Sequence, residues 1–181
     1  MKVLKWSSVI LILFSLTTQA QEREKTQHLA PQLSMFEPYI GTWESEFAPR
    51  EDGTRIIDVS HWERALNGKA LRTLHSINDG MYGGESLIFW DKNKQKLVFY
   101  YFTTADFMTH GELEILSENS FAAYEEVSGE SEMSKGISKV KSVSTLMKDK
   151  LVVETSYLKN GEWTKPETRT YVPSTKSVKF K

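Results

Sequence analysis

Between residues 41 and 172, hydrophobic and polar positions alternate in short runs broken by clusters of Gly, Asn, Asp and Ser. A two-residue period with such punctuation belongs to strands, not to helices. Ten segments read as strands, near 42–48, 54–62, 69–78, 83–91, 96–103, 107–116, 120–128, 137–147, 151–158 and 166–172. Between them lie Glu51-Asp52-Gly53, Leu66-Asn67-Gly68, Asn78-Asp79-Gly80, Asp91-Lys92-Asn93-Lys94, Ser117-Glu118-Asn119, Asp149-Lys150 and Lys159-Asn160-Gly161. Asn-Gly and Asp-Gly tolerate positive φ and so signal hairpins. Hairpin-linked strands without a long helix predict an all-β antiparallel meander. Closing that meander into a barrel removes its exposed edges. A β-sandwich is the competing arrangement.

Upstream the pattern changes. Residues 1–5 carry Lys2 and Lys5, residues 9–16 are apolar apart from Ser15, and Thr18-Gln19-Ala20 places small residues at the −3 and −1 positions. These are the three parts of a signal peptide. The apolar run is shorter than the ~20 residues a spanning helix needs. The expected product is exported, periplasmic or secreted, begins near Gln21 and has no stable membrane insertion; an uncleaved anchor is the alternative. Residues 21–30 are polar and read as a flexible arm. Pro31 then opens a short helix to about Tyr39, with Leu33, Phe36 and Ile40 at helical spacing and Gly41 ending it. Residues 31–181 form a single expected domain.

Charge and cysteine content exclude several functions. The formal net charge is −1, and removing the leader's lysines leaves about −3. No dense Lys/Arg tract is present, so no nucleic-acid partner is expected. The most basic stretch, with Lys135, Lys139, Lys141 and Lys148, fits a solvated hairpin. There is no Cys. Disulfides, thiolate nucleophiles and a lipid on cysteine are thereby ruled out, and stability must come from a core of about 160 mature residues.

Leu87-Ile88-Phe89-Trp90 and Leu97 through Phe102 are nearly continuous in apolar and aromatic residues. Both faces of these strands are therefore expected to be covered, one by the barrel interior and the other by the N-terminal helix or a second copy in a homodimer. Trp43, Trp62, Leu74, Phe89, Phe99, Tyr101 and Phe107 are the candidate walls of a ligand site. Arg72, Glu85 and Arg169 are its candidate polar groups. Glu85 with Arg72, and Glu154 with Arg169, would make bidentate pairs or hold a ligand's polar head. No His-x-His or His-Glu-x-x-His spacing supports a metal. No Gly-x-Ser-x-Gly elbow is present, and the glycines of 80–84 lack the lysine of a phosphate loop.

The triplet Gly41-Thr42-Trp43 stands after the short helix and heads the first strand. With Phe36-Glu37-Pro38-Tyr39-Ile40 before it, Trp62 to Leu71, Glu85 to Asp91 and the pair of strands from Tyr101 to Gly111, it carries a resemblance to the lipocalin-like barrels of the calycin superfamily. Within that superfamily the chain resembles the bacterial DUF1579 group over residues 33–172. The resemblance implies a barrel of about ten strands, closed at one end by a short helix, whose relatives bind fatty acids, retinoids or other apolar molecules. A neighbouring group similar to nitrobindin binds haem through a histidine near the C-terminus. Here the last histidine is His110, so no cofactor is expected.

The expected function is an exported binder of a small apolar or amphipathic ligand. Two other classes compete with it. One is an isomerase or hydrolase using a Glu/His pair drawn from Glu63, His75 and Glu112, if they converge inside the barrel. The other is a non-catalytic interaction module with a packed interior.

Overall fold

The computed structural model describes residues 28–47, 52–127 and 136–181. The expected leader, the arm up to residue 27 and Lys135 lie outside the described residues. The strands are β1 (Gly41–Phe47), β2 (Ile56–Ala65), β3 (Ala70–Ile77), β4 (Tyr82–Asp91), β5 (Lys96–Thr103) and β6 (Met108–Ser117). After them come β7 (Ser120–Glu126), β8 (Ile137–Leu146), β9 (Leu151–Lys159), β10 (Glu162–Trp163) and β11 (Glu167–Pro173). Each expected segment coincides with one strand. The addition is β10, a two-residue strand on the same side of β9 as β11. Pro166 lies between β10 and β11 and has no N–H to give to a ladder.

β1 to β9 form an antiparallel meander. β9 also pairs with β11, and β11 pairs with β1 through Trp43↔Pro173 and Glu44↔Val172. This last pairing closes a ten-stranded antiparallel barrel. The sandwich is excluded, because one continuous ladder returns to its first strand.

The helix that caps one end is a 3₁₀ helix, Pro31–Tyr39. Its buried residues are Leu33, Phe36 and Tyr39, all fully buried. The sequence suggested Leu33, Phe36 and Ile40 instead. In a 3₁₀ helix, side chains three apart eclipse, so Tyr39 rather than Ile40 falls on the inward stripe. Pro38 inside the segment lacks an N–H and works against α-helical continuation. Leu29 and Ala30, placed by composition in a flexible arm, are packed onto the barrel. Leu29 is 6% exposed in the core, and the Ala30 N–H donates to the Gly68 carbonyl at 2.8 Å.

Phe36 lies edge-on to Phe121 at 5.1 Å, and Tyr39 stacks on Trp62 at 5.5 Å. The Trp43 indole N–H donates to the Tyr39 carbonyl at 2.8 Å, and the Tyr39 hydroxyl donates to the Asn119 carbonyl at 2.7 Å. These bonds tie the helix to both the first strand and the β6–β7 turn. Gly41 has φ +137°, a backbone state that side-chain-bearing residues rarely adopt, and nothing lies within 4 Å of where its Cβ would stand. Its role is therefore to turn the chain from helix into strand.

Beyond β11 the chain crosses the outside of the barrel as a strap. The Ser174 N–H donates to the Thr42 carbonyl at 2.8 Å, and the Lys179 N–H to the Ser76 hydroxyl at 3.1 Å. Lys179 pairs with Asp79 at 2.8 Å. The strap covers Val59 and Ser76 on the outer face of β2 and β3, both buried. Part of that outer face is thus covered by the chain's own C-terminal segment. Among the described residues, no helix is long and apolar enough to cross a membrane.

Candidate functional site

Because side chains alternate along a strand, each strand gives the interior every second residue. The inward rows change character along the barrel axis. At the helix end they are apolar: Trp43, Leu71, Ile88, Leu97, Leu113, Phe121 and Leu151. At the opposite end they carry Asp58, His75, Tyr82, Tyr101, Thr109, Glu125 and Tyr171.

These polar residues form a connected network. Asp58, 5% exposed, faces His75 Nδ1 at 3.1 Å and accepts from the Tyr171 hydroxyl at 2.9 Å. His75 Nε2 lies 2.6 Å from the Tyr101 hydroxyl, which lies 3.0 Å from that of Tyr82. One pattern satisfies every group. His75 donates from Nδ1 to Asp58, Tyr101 donates to Nε2, and Tyr82 donates to the Tyr101 oxygen. Burial pushes the Tyr101 and Tyr171 hydroxyls far above the ordinary phenol range, and nearby Tyr82 and Asp58 respectively push them further. Both are neutral hydrogen-bond donors.

Glu125 sits beside this network. Its carboxylate accepts from the Thr109 hydroxyl. Thr109 stands directly opposite Tyr101 across the β5–β6 ladder, and Tyr101 stands opposite Ser86 on β4. Burial pushes the Glu125 carboxyl upward, and the Thr109 hydroxyl offsets part of that rise.

Between the two ends lies a cavity of about 230 Å³ lined by Ser86, Ile88, Phe99, Tyr101, Leu113, Phe121, Ala123 and Glu125. The Phe99 ring comes close to β6 because Gly111 has no side chain there; a Cβ on Gly111 would stand 2.6 Å from the Phe99 ring. A Cβ on Gly84 would likewise stand 2.6 Å from the Tyr101 ring. Larger grooves of about 560 and 340 Å³ lie outside the barrel beneath the strap, lined in part by Lys176 and Ser177. The inner cavity has the makeup of a ligand site, an apolar wall with a few convergent polar groups.

The structure separates the residues that the sequence suggested as one site. Phe99 and Tyr101 line the cavity. Trp43 and Trp62 belong to the apolar plug under the helix. Arg72, Leu74, Glu85 and Phe89 face outward, since Leu71 and His75 take the inward positions of β3 and Ser86 and Ile88 those of β4. Phe89 stacks on outward Tyr100 at 6.3 Å. Arg72 does pair with Glu85 at 2.5 Å, and also with Glu63 at 3.1 Å, but as an outer cross-strand ladder. Such exposed pairs contribute little. Arg72→Ala is therefore expected to lower stability by less than about 1 kcal/mol in urea unfolding and to leave ligand binding in the cavity unchanged.

Arg169 turns inward at the polar end, 4.3 Å over the Phe47 ring and 3.6 Å from Glu167, while Glu154 is exposed outside. The expected Glu154–Arg169 pair is not formed, because the two have opposite facing. Phe107 lies in the β5–β6 connection. Of Glu63, His75 and Glu112, only His75 looks into the barrel; Glu63 pairs with Arg72, and Glu112 with Lys96 at 2.5 Å, on the outer face. Among the described residues, no group of three or more His, Cys, Asp or Glu is placed to hold a metal.

Sequence reasoning missed Ser86, Ile88, Leu113, Phe121, Ala123 and Glu125 as cavity residues, and Asp58 as the centre of the network. Asp58 interrupts the apolar run Ile56-Ile57-Asp58-Val59, which is the signal that marks it.

No protein-family model matches the sequence, and no curated protein matches it. Among solved structures, the crystal structure of Rv2717c from M. tuberculosis is similar, with a TM-score of 0.55 at 11% sequence identity. The match covers 81% of this chain and 99% of that one. At that identity the likeness shows the fold alone.

Proposed function

We propose that this protein binds a small apolar or amphipathic molecule inside the barrel. The observation that carries this reading is the cavity of about 230 Å³, with Ile88, Phe99, Leu113 and Phe121 on its walls and Ser86, Tyr101 and Glu125 at one end. An apolar cavity of ~150 Å³ holds benzene, so this one suits a body of roughly nine non-hydrogen atoms. The walls supply affinity and the polar end supplies orientation.

Two parts of this reading come from the sequence. The motifs around Gly41-Thr42-Trp43, together with the barrel likeness, support membership of the lipocalin-like calycins and of the DUF1579 group. The leader pattern in residues 1–20 supports an exported protein, periplasmic or secreted.

Native mass spectrometry of the protein purified from its own compartment tests the binding reading. A reproducible small-molecule adduct should be present and should disappear on organic extraction. Ala123→Phe puts a ring into the cavity and is expected to weaken the adduct by at least about tenfold with the fold retained by circular dichroism. An adduct that survives this substitution unchanged would place the ligand elsewhere. The same spectrum reports whether two copies associate, a question raised by the exposed Tyr100, Phe102 and Met108.

A further inference from the structure

We infer that the cavity selects a small primary amine on an apolar body, its ammonium seated among Glu125, Tyr101 and Ser86; this deepens the binding reading above and rests on it.

The protons there are already committed. The Thr109 hydroxyl donates to Glu125, and in the donor pattern given above that of Tyr101 is used by His75 and that of Tyr82 by Tyr101. Acceptors remain. Glu125 takes one hydrogen bond, on Oε1, and among the described residues it has no cationic partner. The Tyr101 oxygen has a second lone pair. Ser86 lines the cavity and makes no side-chain hydrogen bond among the described residues. Among the described groups that line the cavity, its hydroxyl is the one with a proton to spare.

The inward cation at this end of the barrel, Arg169, lies over Phe47 and beside Glu167 and does not line the cavity. A carboxylate ligand would therefore meet Glu125 with no counter-charge among the cavity's lining residues, and like charges brought together at a half-buried site repel. An ammonium offers three donors to three acceptors and gives the half-buried carboxylate the cationic partner it lacks among the described residues. An alcohol offers one donor and no charge.

Isothermal titration of the full chain with 2-phenylethylamine, 2-phenylethanol and phenylacetate tests this. The amine is expected to bind at least about tenfold more tightly than the alcohol, and phenylacetate most weakly. Glu125→Gln should remove most of the amine's advantage and leave the alcohol within about threefold of its original affinity. Ser86→Ala, a smaller change, should weaken the amine several-fold and serves as the second variant if Glu125→Gln fails to fold. Ala123→Phe should abolish binding of both amine and alcohol.

An alcohol bound as tightly as the amine, or phenylacetate bound best, overturns the amine assignment and leaves the cavity reading standing. An amine preference that persists in Glu125→Gln, or amine binding that persists in Ala123→Phe, overturns it as well. Failure of all three probes to bind overturns the cavity reading itself.

Discussion

Phe36→Ala is expected to destabilise the protein by about 3–5 kcal/mol, the usual loss for truncating a fully buried phenylalanine. Phe36 is fully buried and packs between Phe121 at 5.1 Å, Tyr39 at 6.0 Å and Trp62 at 6.5 Å. Edge-to-face contacts of this kind add to the area term. The hole left behind is ringed by hydrogen-bonded strands, which resist collapsing into it. Against a typical total of about 5–15 kcal/mol, this is a large share. Urea unfolding with an unchanged m-value measures it. A loss under about 1.5 kcal/mol would mean that the helix is dispensable to the barrel. Tyr39 gives a second readout. Burial pushes its hydroxyl up to about 12. Loosening the helix should bring that titration back toward the ordinary phenol value of about 10, seen in tyrosinate absorbance.

The second large effect belongs to Asp58. Asp58→Ala strands the Tyr171 hydroxyl and the His75 Nδ1–H inside the barrel, each at about 1–3 kcal/mol. The expected loss is roughly 2–5 kcal/mol by chemical denaturation. Tyr171→Phe removes one donor and leaves Asp58 its bond from His75, so it should cost only about 1 kcal/mol. The contrast is the test. Equal losses from the two variants would show that Asp58 does not organise the network. Nothing in this comparison requires Asp58 to touch a ligand, since it does not line the cavity.

Strands and turns were legible because their signals are local. Asn78-Asp79-Gly80 and Lys159-Asn160-Gly161 announce turns by residue type, and each turn includes residues at positive φ. The facing of each strand was not legible, because a shift of one residue exchanges inside for outside. Arg72 and Leu74 read as well for the interior as Leu71 and His75 do. Glu125 and Glu126 are identical neighbours, yet one abuts Thr109 in the barrel and the other pairs with Lys139 on its surface. Only the pairing of Glu125 with Gly111 distinguishes them, and that is a long-range fact. The strap had no period to betray it. Its residues are ordered by what lies beneath them, Ser76, Asp79 and Gly83, all remote in sequence.

The ladder between β1 and β11 also bears on how the molecule is made. β1 acquires its second neighbour from β11, late in the chain, so the ring stays open until residues 167–173 are free to pair. Until then β1 and β9 each present a bare row of amides, and such rows recruit foreign strands. Contacts this distant also form slowly. The hazardous interval in the protein's life is therefore the time before β11 docks. A chain stopped short of β11 would be a template for aggregation, not a smaller barrel.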